Sequence, residues 1–389
     1  LGFEVVAIAE RKDIVLGSCS LVSCPTVSEF QEIASSGGKI ELLYQENDLV
    51  SLRFTHANAC ACGAIQMGVS LDGKRLEYWP VYGVDQRPPQ PESPMVAAVV
   101  ISDQQGYFGR ACPKCKSYFR TNSPGRATLC PYCGCRANNA AFTTKNQLEF
   151  IDKVRESYIA AFQKKESVAI DLDKIANELP ANRPAWAYSE ESQQNHFVCP
   201  NCKTGYDILG EYAGCPTCGK RNSLQVFERS IADVEQRFNK ADAELKDRQA
   251  REVEWERLSR CISDFEAMAR DIQRQLQLLP ATPKRKKDIQ GISFQNILKA
   301  NTSVLDWFGF EMLARFPDDD KIFLNRMFNR RHVLTHNGGR IDQEYLDNSD
   351  DTTVRLNQTI VVRSNEIRRL IPLLRTIAQN LFQGFESIA

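Results

Sequence analysis

Four Cys-x-x-Cys pairs constrain this chain more than any other feature. Cys112-x-x-Cys115 is followed after fourteen residues by Cys130-x-x-Cys133, and Cys199-x-x-Cys202 after twelve by Cys215-x-x-Cys218. Every pair opens its gap with proline (Pro113, Pro131, Pro200, Pro216), and Gly134 and Gly219 follow the second pair of each set. Two thiolates three residues apart on a tight turn can point at one ion, and two such turns complete a tetrahedron. Glycine after the second pair allows the backbone to aim amides at the sulfurs. Segments of about 25 residues bury too little apolar surface to fold alone, so metal binding is expected to supply roughly 10–16 kcal/mol to each.

The segments RACPKCKSYFRTNSPGRATLCPYCG (110–134) and FVCPNCKTGYDILGEYAGCPTCG (197–219) resemble each other and resemble zinc ribbons, or rubredoxin-type knuckles. Four cysteines close the coordination shell, so both sites are expected to hold structural zinc, with iron or a redox dithiol as the alternative. Cys135 beside the first site is a spare. Cys19, Cys24, Cys60 and Cys62, with His56 nearby, form a candidate third site of irregular spacing; its plain alternative is a set of free buried thiols. Eight of fourteen cysteines placed in Cys-x-x-Cys pairs in a chain of 389 residues indicate metal rather than disulfides, a reducing compartment and a cytoplasmic location. The opening residues lack a signal peptide's long apolar stretch, and no window is apolar enough to span a membrane. The formal net charge is zero, so any polyanion must be held by local clusters.

The expected architecture is α+β and multidomain. Residues 1–108 read as a β-rich domain, with alternating runs at 40–44, 49–54 and 64–71 and turns at Gly37-Gly38, Glu46-Asn47-Asp48 and Asp72-Gly73. RPPQPESP (87–94) reads as an extended linker, and MVAAVVI (95–101) as a buried strand. Ribbon 1 (109–140), a helical connector (141–195) and ribbon 2 (196–223) follow. Residues 224–389 read as a helical bundle. Leu258, Ile262, Phe265, Ala269, Ile272, Leu276 and Leu279 have three-and-four spacing, and Pro280 and Pro283 stop that helix. Lys284–Lys287 is then a basic loop, with helices at about 289–308, 319–336 and 364–386 and an insertion near 340–360.

Ribbon 1 carries Arg110, Lys114, Lys116, Arg120, Arg126 and Arg136 and no acidic residue over 109–140, with Tyr118, Phe119 and Tyr132 interleaved. Allowing for four thiolates around a divalent ion, it stays positive by about four. Cations mixed with aromatics suit phosphate contact and base stacking, as in RNA binding; a solvated face on a structural knuckle is the competing reading. Ribbon 2 sets Lys203, Lys220 and Arg221 against Asp207 and Glu211 and favours the structural reading.

The helix beginning at Pro317-Asp318-Asp319-Asp320 ends in Asn329-Arg330-Arg331-His332-Val333-Leu334-Thr335-His336-Asn337-Gly338-Gly339. Carboxylates at the start and glycines at the stop are ordinary helix signals. The segment Arg331-His332-x-x-x-His336 resembles the Arg-x4-6-His signature of the HEPN superfamily (higher eukaryotes and prokaryotes nucleotide-binding), and Asn337-Gly338-Gly339-x-Ile341-Asp342 and the last helix extend the resemblance over roughly 225–389. The resemblance implies a small helical bundle, a homodimer with facing motif helices, and metal-independent RNA cleavage leaving a 2′,3′-cyclic phosphate and a 5′-hydroxyl. Arg331 and His336 would then be catalytic with His332 beside them, and Arg330 would contact RNA. Histidine titrates near neutral pH and suits the base, and arginine suits the developing phosphorane charge. Arg330 with His336, and Arg326 with His332, also satisfy the pattern. The resemblance further implies an antiphage or toxin-like role, or silencing by a nucleotidyltransferase partner. The rival reading is a non-catalytic protein that uses ribbons and bundle to hold nucleic acid or protein, since His and Arg in a last helical turn are favourable without any function. Neither a His-Glu-x-x-His motif nor a phosphate-binding Gly-x-x-x-x-Gly-Lys loop is present.

Overall fold

The computed structural model describes residues 38–44, 50–56, 64–74, 76–81, 95–101, 107–122, 127–178, 194–241 and 247–388. The chain divides into two compact units, Leu1–Arg221 and Asn222–Ala389. The first mixes strands and helices, and the second is helical.

In the first unit, strands β1 (Gly38–Tyr44) and β2 (Val50–His56) form an antiparallel hairpin in register from Gly38↔His56 to Tyr44↔Val50. The strands β3 (Ala64–Ser70), β4 (Leu76–Val81) and β5 (Met95–Ile101) make a second sheet in the order β4-β3-β5. Its β3–β4 turn is the expected Asp-Gly: Gly73 sits at φ +73°, and Asp72 accepts from the Ser70 hydroxyl and the Lys74 amide.

Ribbon 1 contributes β6 (Phe108–Ala111), β7 (Tyr118–Thr121), β8 (Ala127–Leu129) and β9 (Arg136–Asn138). Helix α1 (Lys145–Lys164) then starts on a complete capping box between Thr144 and Gln147. Its apolar stripe, Phe150, Ile151, Val154, Tyr158 and Ala161, is buried in one core with Ile40, Leu42, Val69 and Phe108.

The connector expected to be only helical holds a strand as well. β10 (Val168–Asp171) pairs antiparallel with β1, and α2 (Leu172–Glu178) follows directly. Ile170, Leu172 and Ile175 join the α1 core, so this stretch belongs to the β-rich fold rather than linking two modules. Ribbon 2 supplies β11 (Gln194–Val198) and β12 (Gly205–Leu209).

In the second unit, α3 (Ser223–Ala241), α4 (Asp247–Leu276), α5 (Pro283–Gln290), α6 (Ile297–Phe308), α7 (Asp318–Asn337), α8 (Gln343–Ser349) and α9 (Ser364–Ile388) follow in order. α4 is the core element: Leu258, Cys261, Ile262, Phe265, Met268, Ala269, Ile272 and Leu276 are all buried, against α3, α7 and α9. The basic stretch 284–287 is helical, not a loop. Thr282 caps it, accepting from the Arg285 amide, and Pro283 occupies the first turn, where its missing N–H costs nothing. The Gln273 amide nitrogen donates to the carbonyls of Ile289, Gln290 and Ile292, holding the end of α5 on α4. The insertion after α7 is packed: Ile341, Tyr345 and Ile360 enclose Val333 in a small core of their own.

Candidate metal clusters and the histidine pair

Each Cys-x-x-Cys pair builds the same turn. The amide of the residue after the second cysteine donates to the carbonyl of the first (Lys116 to Cys112 and Gly134 to Cys130, both 3.0 Å; Lys203 to Cys199 and Gly219 to Cys215, both 2.9 Å). That residue has positive φ in all four: Lys116 +62°, Gly134 +67°, Lys203 +62°, Gly219 +80°. Glycine takes this conformation freely, whereas the two lysines bear a steric cost. Sequence reasoning saw the glycines and missed their lysine counterparts.

The turns bring sulfurs together as required. Cys112 Sγ lies 3.6 Å from Cys133 Sγ and Cys115 Sγ 3.6 Å from Cys130 Sγ, while Cys199–Cys218 and Cys202–Cys215 are 3.6 and 3.5 Å apart. Within each cluster all four ligand atoms lie within 4.8 Å of one another. A tetrahedron with metal–sulfur bonds of about 2.3 Å has edges of about 3.8 Å, so the donor set fits a zinc ion with little adjustment. At Cys115, burial opposes ionisation, but bonds from the Ser117 hydroxyl and amide and from neighbouring thiols bring it down to about 6. At Cys202 the same burial is outweighed by Thr204, again to about 6. Each cluster thus favours one thiolate at the equivalent position.

The two ribbons are one object. Their strands form a single sheet in the order β11-β12-β7-β6, with Tyr206↔Thr121 and Asp207↔Arg120 in register. Their second turns exchange reciprocal bonds, Leu129 N–H to the Pro216 carbonyl and Gly214 N–H to the Pro131 carbonyl, both 2.8 Å. The Tyr132 hydroxyl donates to the Tyr118 carbonyl and accepts from the Leu209 amide.

This fusion removes Arg110 and Arg120, with Tyr118 and Phe119, from the cationic, base-stacking face expected of ribbon 1. Arg110 and Arg120 are each 2% exposed, and Tyr118 and Phe119 are buried with them. Arg120 faces Asp207 at 3.4 Å and stacks over Tyr107, while Arg110 lies over Phe108. A guanidinium enclosed this way cannot neutralise a phosphate in solvent. Lys114, Lys116 and Arg136 remain exposed, and Arg126 lies outside the described residues. Cys19, Cys24, Cys60 and Cys62, the expected third cluster, lie outside them too. The far side of Asp207 holds an exposed imidazole that the sequence did not single out, with His196 Nδ1 2.6 Å from Asp207 Oδ1.

In the second unit, α7 sorts its cationic residues by face. Arg330 is 4% exposed and saturated: Nη2 donates to Asp351 at 2.9 Å, Nη1 to Glu366 at 2.8 Å, and Nε to the Tyr345 hydroxyl at 3.4 Å. Burial works against its charge, but these partners win and push its pKa up. Burial would raise Asp351, yet bonds from Thr353, Tyr345 and Arg330 hold it well below the usual carboxylate range. Arg330, expected to contact RNA, instead pins the insertion and the start of α9 to α7. Arg326 approaches the same carboxylate at 3.8 Å.

Arg331 turns toward α4, donating to Glu266 and to the Ser263 hydroxyl, both at 3.2 Å. Glu266 is also bonded by Arg270 at 3.3 Å, so two guanidinium groups share one carboxylate and the trio keeps a net positive charge. Burial pushes the Glu266 carboxyl up against the pull of those two arginines. His332 and His336 lie one turn apart on the outer face with ring centroids 4.4 Å apart; His332 is half-buried and His336 exposed. The structure therefore brings the two imidazoles together. It does not bring Arg331 to His336, since five residues of helix set them about 140° apart around the axis.

Among the described residues no helix is long and apolar enough to cross a membrane. Comparison with protein-family models, curated proteins and solved structures finds no match to this chain.

Proposed function

We propose that the chain is a metal-independent endoribonuclease of the HEPN type, working as a homodimer, with two zinc ions serving only to fold its first unit. The observation that carries this reading is the imidazole pair on the outer face at the end of α7, the helix whose Arg331 shares Glu266 with Arg270 and so keeps a net positive charge on its other side. One imidazole accepts the proton of a ribose 2′-hydroxyl, whose oxygen attacks phosphorus. The other protonates the departing 5′-oxygen, leaving a 2′,3′-cyclic phosphate and a 5′-hydroxyl. The guanidinium pair supplies the positive field for the charge that builds on the phosphorane. Because Arg331 and His336 diverge within one chain, their convergence on a phosphodiester requires α7 of a second copy.

A 5′-labelled single-stranded RNA tests the reading. Cleavage is expected in the presence of EDTA, to end in cyclic phosphate, to stop when the ribose 2′-hydroxyls are removed, and to vanish in His336→Ala. Equal cutting by wild type and His336→Ala would reject the assignment.

A second reading, a non-catalytic scaffold that holds nucleic acid or protein, is favoured by the ion pairs of Arg330 and Arg331. It requires that nucleic acid or protein be bound and that RNA keep its ends unchanged.

A further inference from the structure

We infer that His332 and His336 form a bidentate clamp for a borderline divalent cation of the nickel, copper and zinc class, separate from the two cysteine clusters. Residues four apart on a helix lie about 40° apart around the axis and one turn apart along it, so both rings reach the same volume of solvent. Their centroid separation of 4.4 Å is the informative quantity. With metal–nitrogen bonds of about 2.1 Å and ring centres about 1.2 Å further out, two imidazoles bound at right angles have centroids about 4.6 Å apart. A tetrahedral angle would place them about 5.3 Å apart. The rings are thus already near the separation of adjacent positions in an octahedral or square-planar shell.

The surroundings favour the same assignment. Arg330 ties α7 to Asp351 and Glu366 on one side and Arg331 ties it to Glu266 on the other. Gly338 and Gly339, at φ +57° and +82°, close the helix end just beyond the pair. The clamp therefore sits on a fixed frame, and water on the open side of His336 fills the remaining positions. Neutral imidazole selects nickel, copper and zinc over magnesium and calcium, which prefer oxygen.

If the nuclease reading holds, on which this consequence rests, the ion is an inhibitor. A nitrogen lone pair bound to metal can neither accept nor return a proton, so filling the clamp stops cleavage.

The test uses the full chain, loaded with zinc at its cysteine clusters and titrated with Ni2+ by calorimetry. Expected is one Ni2+ per chain that is weakened about 100-fold in His332→Ala and in His336→Ala, the loss that follows when two linked weak ligands become one. Alanine is the strongest helix former, so both variants keep α7. His196→Ala is expected to bind as wild type does, and Mg2+ not to bind. Ni2+ binding that survives in both variants, or is absent from wild type, overturns the clamp. RNA cleavage followed at the same concentrations should fall as the site fills and return on adding nitrilotriacetate. Cleavage that persists with the site filled overturns the inhibitory role alone. A chain that binds Ni2+ through the pair yet never cuts RNA supports the clamp and rejects the nuclease.

Discussion

Arg330 is where a single side chain decides most. It is enclosed between two carboxylates and a phenol, and truncating it leaves buried Asp351 with only the more distant Arg326, at 3.8 Å, for a cation. Arg330→Ala is expected to lower stability by about 3–5 kcal/mol, read from the urea midpoint of the full chain. Asp351 gives the matching pH signature. Its folded pKa lies below its ordinary 3.8, so the native state holds fewer protons here than the unfolded chain as pH falls. The stability it contributes is complete above about pH 5 and is lost as pH drops through the ordinary value toward the folded one. Asp351→Asn should therefore flatten the acid limb of a stability–pH curve below about pH 4; an unchanged limb would reject this role. Sequence favoured Arg331 over Arg326 and Arg330 only through the family resemblance, and their actual partners were not legible because these are carboxylates remote in the chain. Asp351 and Glu366 lie 21 and 36 positions from Arg330, and Glu266 lies 65 from Arg331. The histidine pair was legible because its partners are four residues apart and helix geometry does the rest.

Among the elements, the cysteine turns repeat one conformation with two kinds of residue at its tightest position. Lys116 is exposed and adopts φ +62°, where an L side chain crowds the following carbonyl. Lys116→Gly is expected to stabilise the first cluster by about 1 kcal/mol, seen as slower zinc loss to a chelator, whereas Lys116→Val should speed it. The spacing of the cysteines announced these turns because metal geometry is local. Helix boundaries were less legible. Pro280 and Pro283 were both read as stops, yet Pro283 begins α5, since a residue that cannot continue a helix is well suited to start one. The single helical run expected over 289–308 is broken before α6, where the Asn296 side chain accepts from the Lys299 amide. Apolar periodicity persists across such a break, so only the cap marks it.

At the scale of the molecule, the sequence suggested two ribbons acting as separate modules, and the chain builds one sheet from both. Nothing in either Cys-x-x-Cys set encodes the pairing of β7 with β12, which depends on strand edges meeting across a long loop. A shared sheet makes the clusters interdependent. Cys199→Ser should therefore release zinc from the Cys112 cluster about tenfold faster, the loss of one or two of the hydrogen bonds that join the ribbons. A first cluster unaffected by the second would show that the joint is mechanically idle. The same joint bears on synthesis. The first ribbon leaves the ribosome complete with its own ligands, but Thr121 waits for Gly205, 84 residues later. Until then the open edge of β7 is a bare row of amides and carbonyls, the kind of surface that pairs with a neighbouring nascent chain. Crowded translation of this message is therefore when the protein is most exposed to aggregation, and slowing elongation between the two ribbons would lengthen that interval.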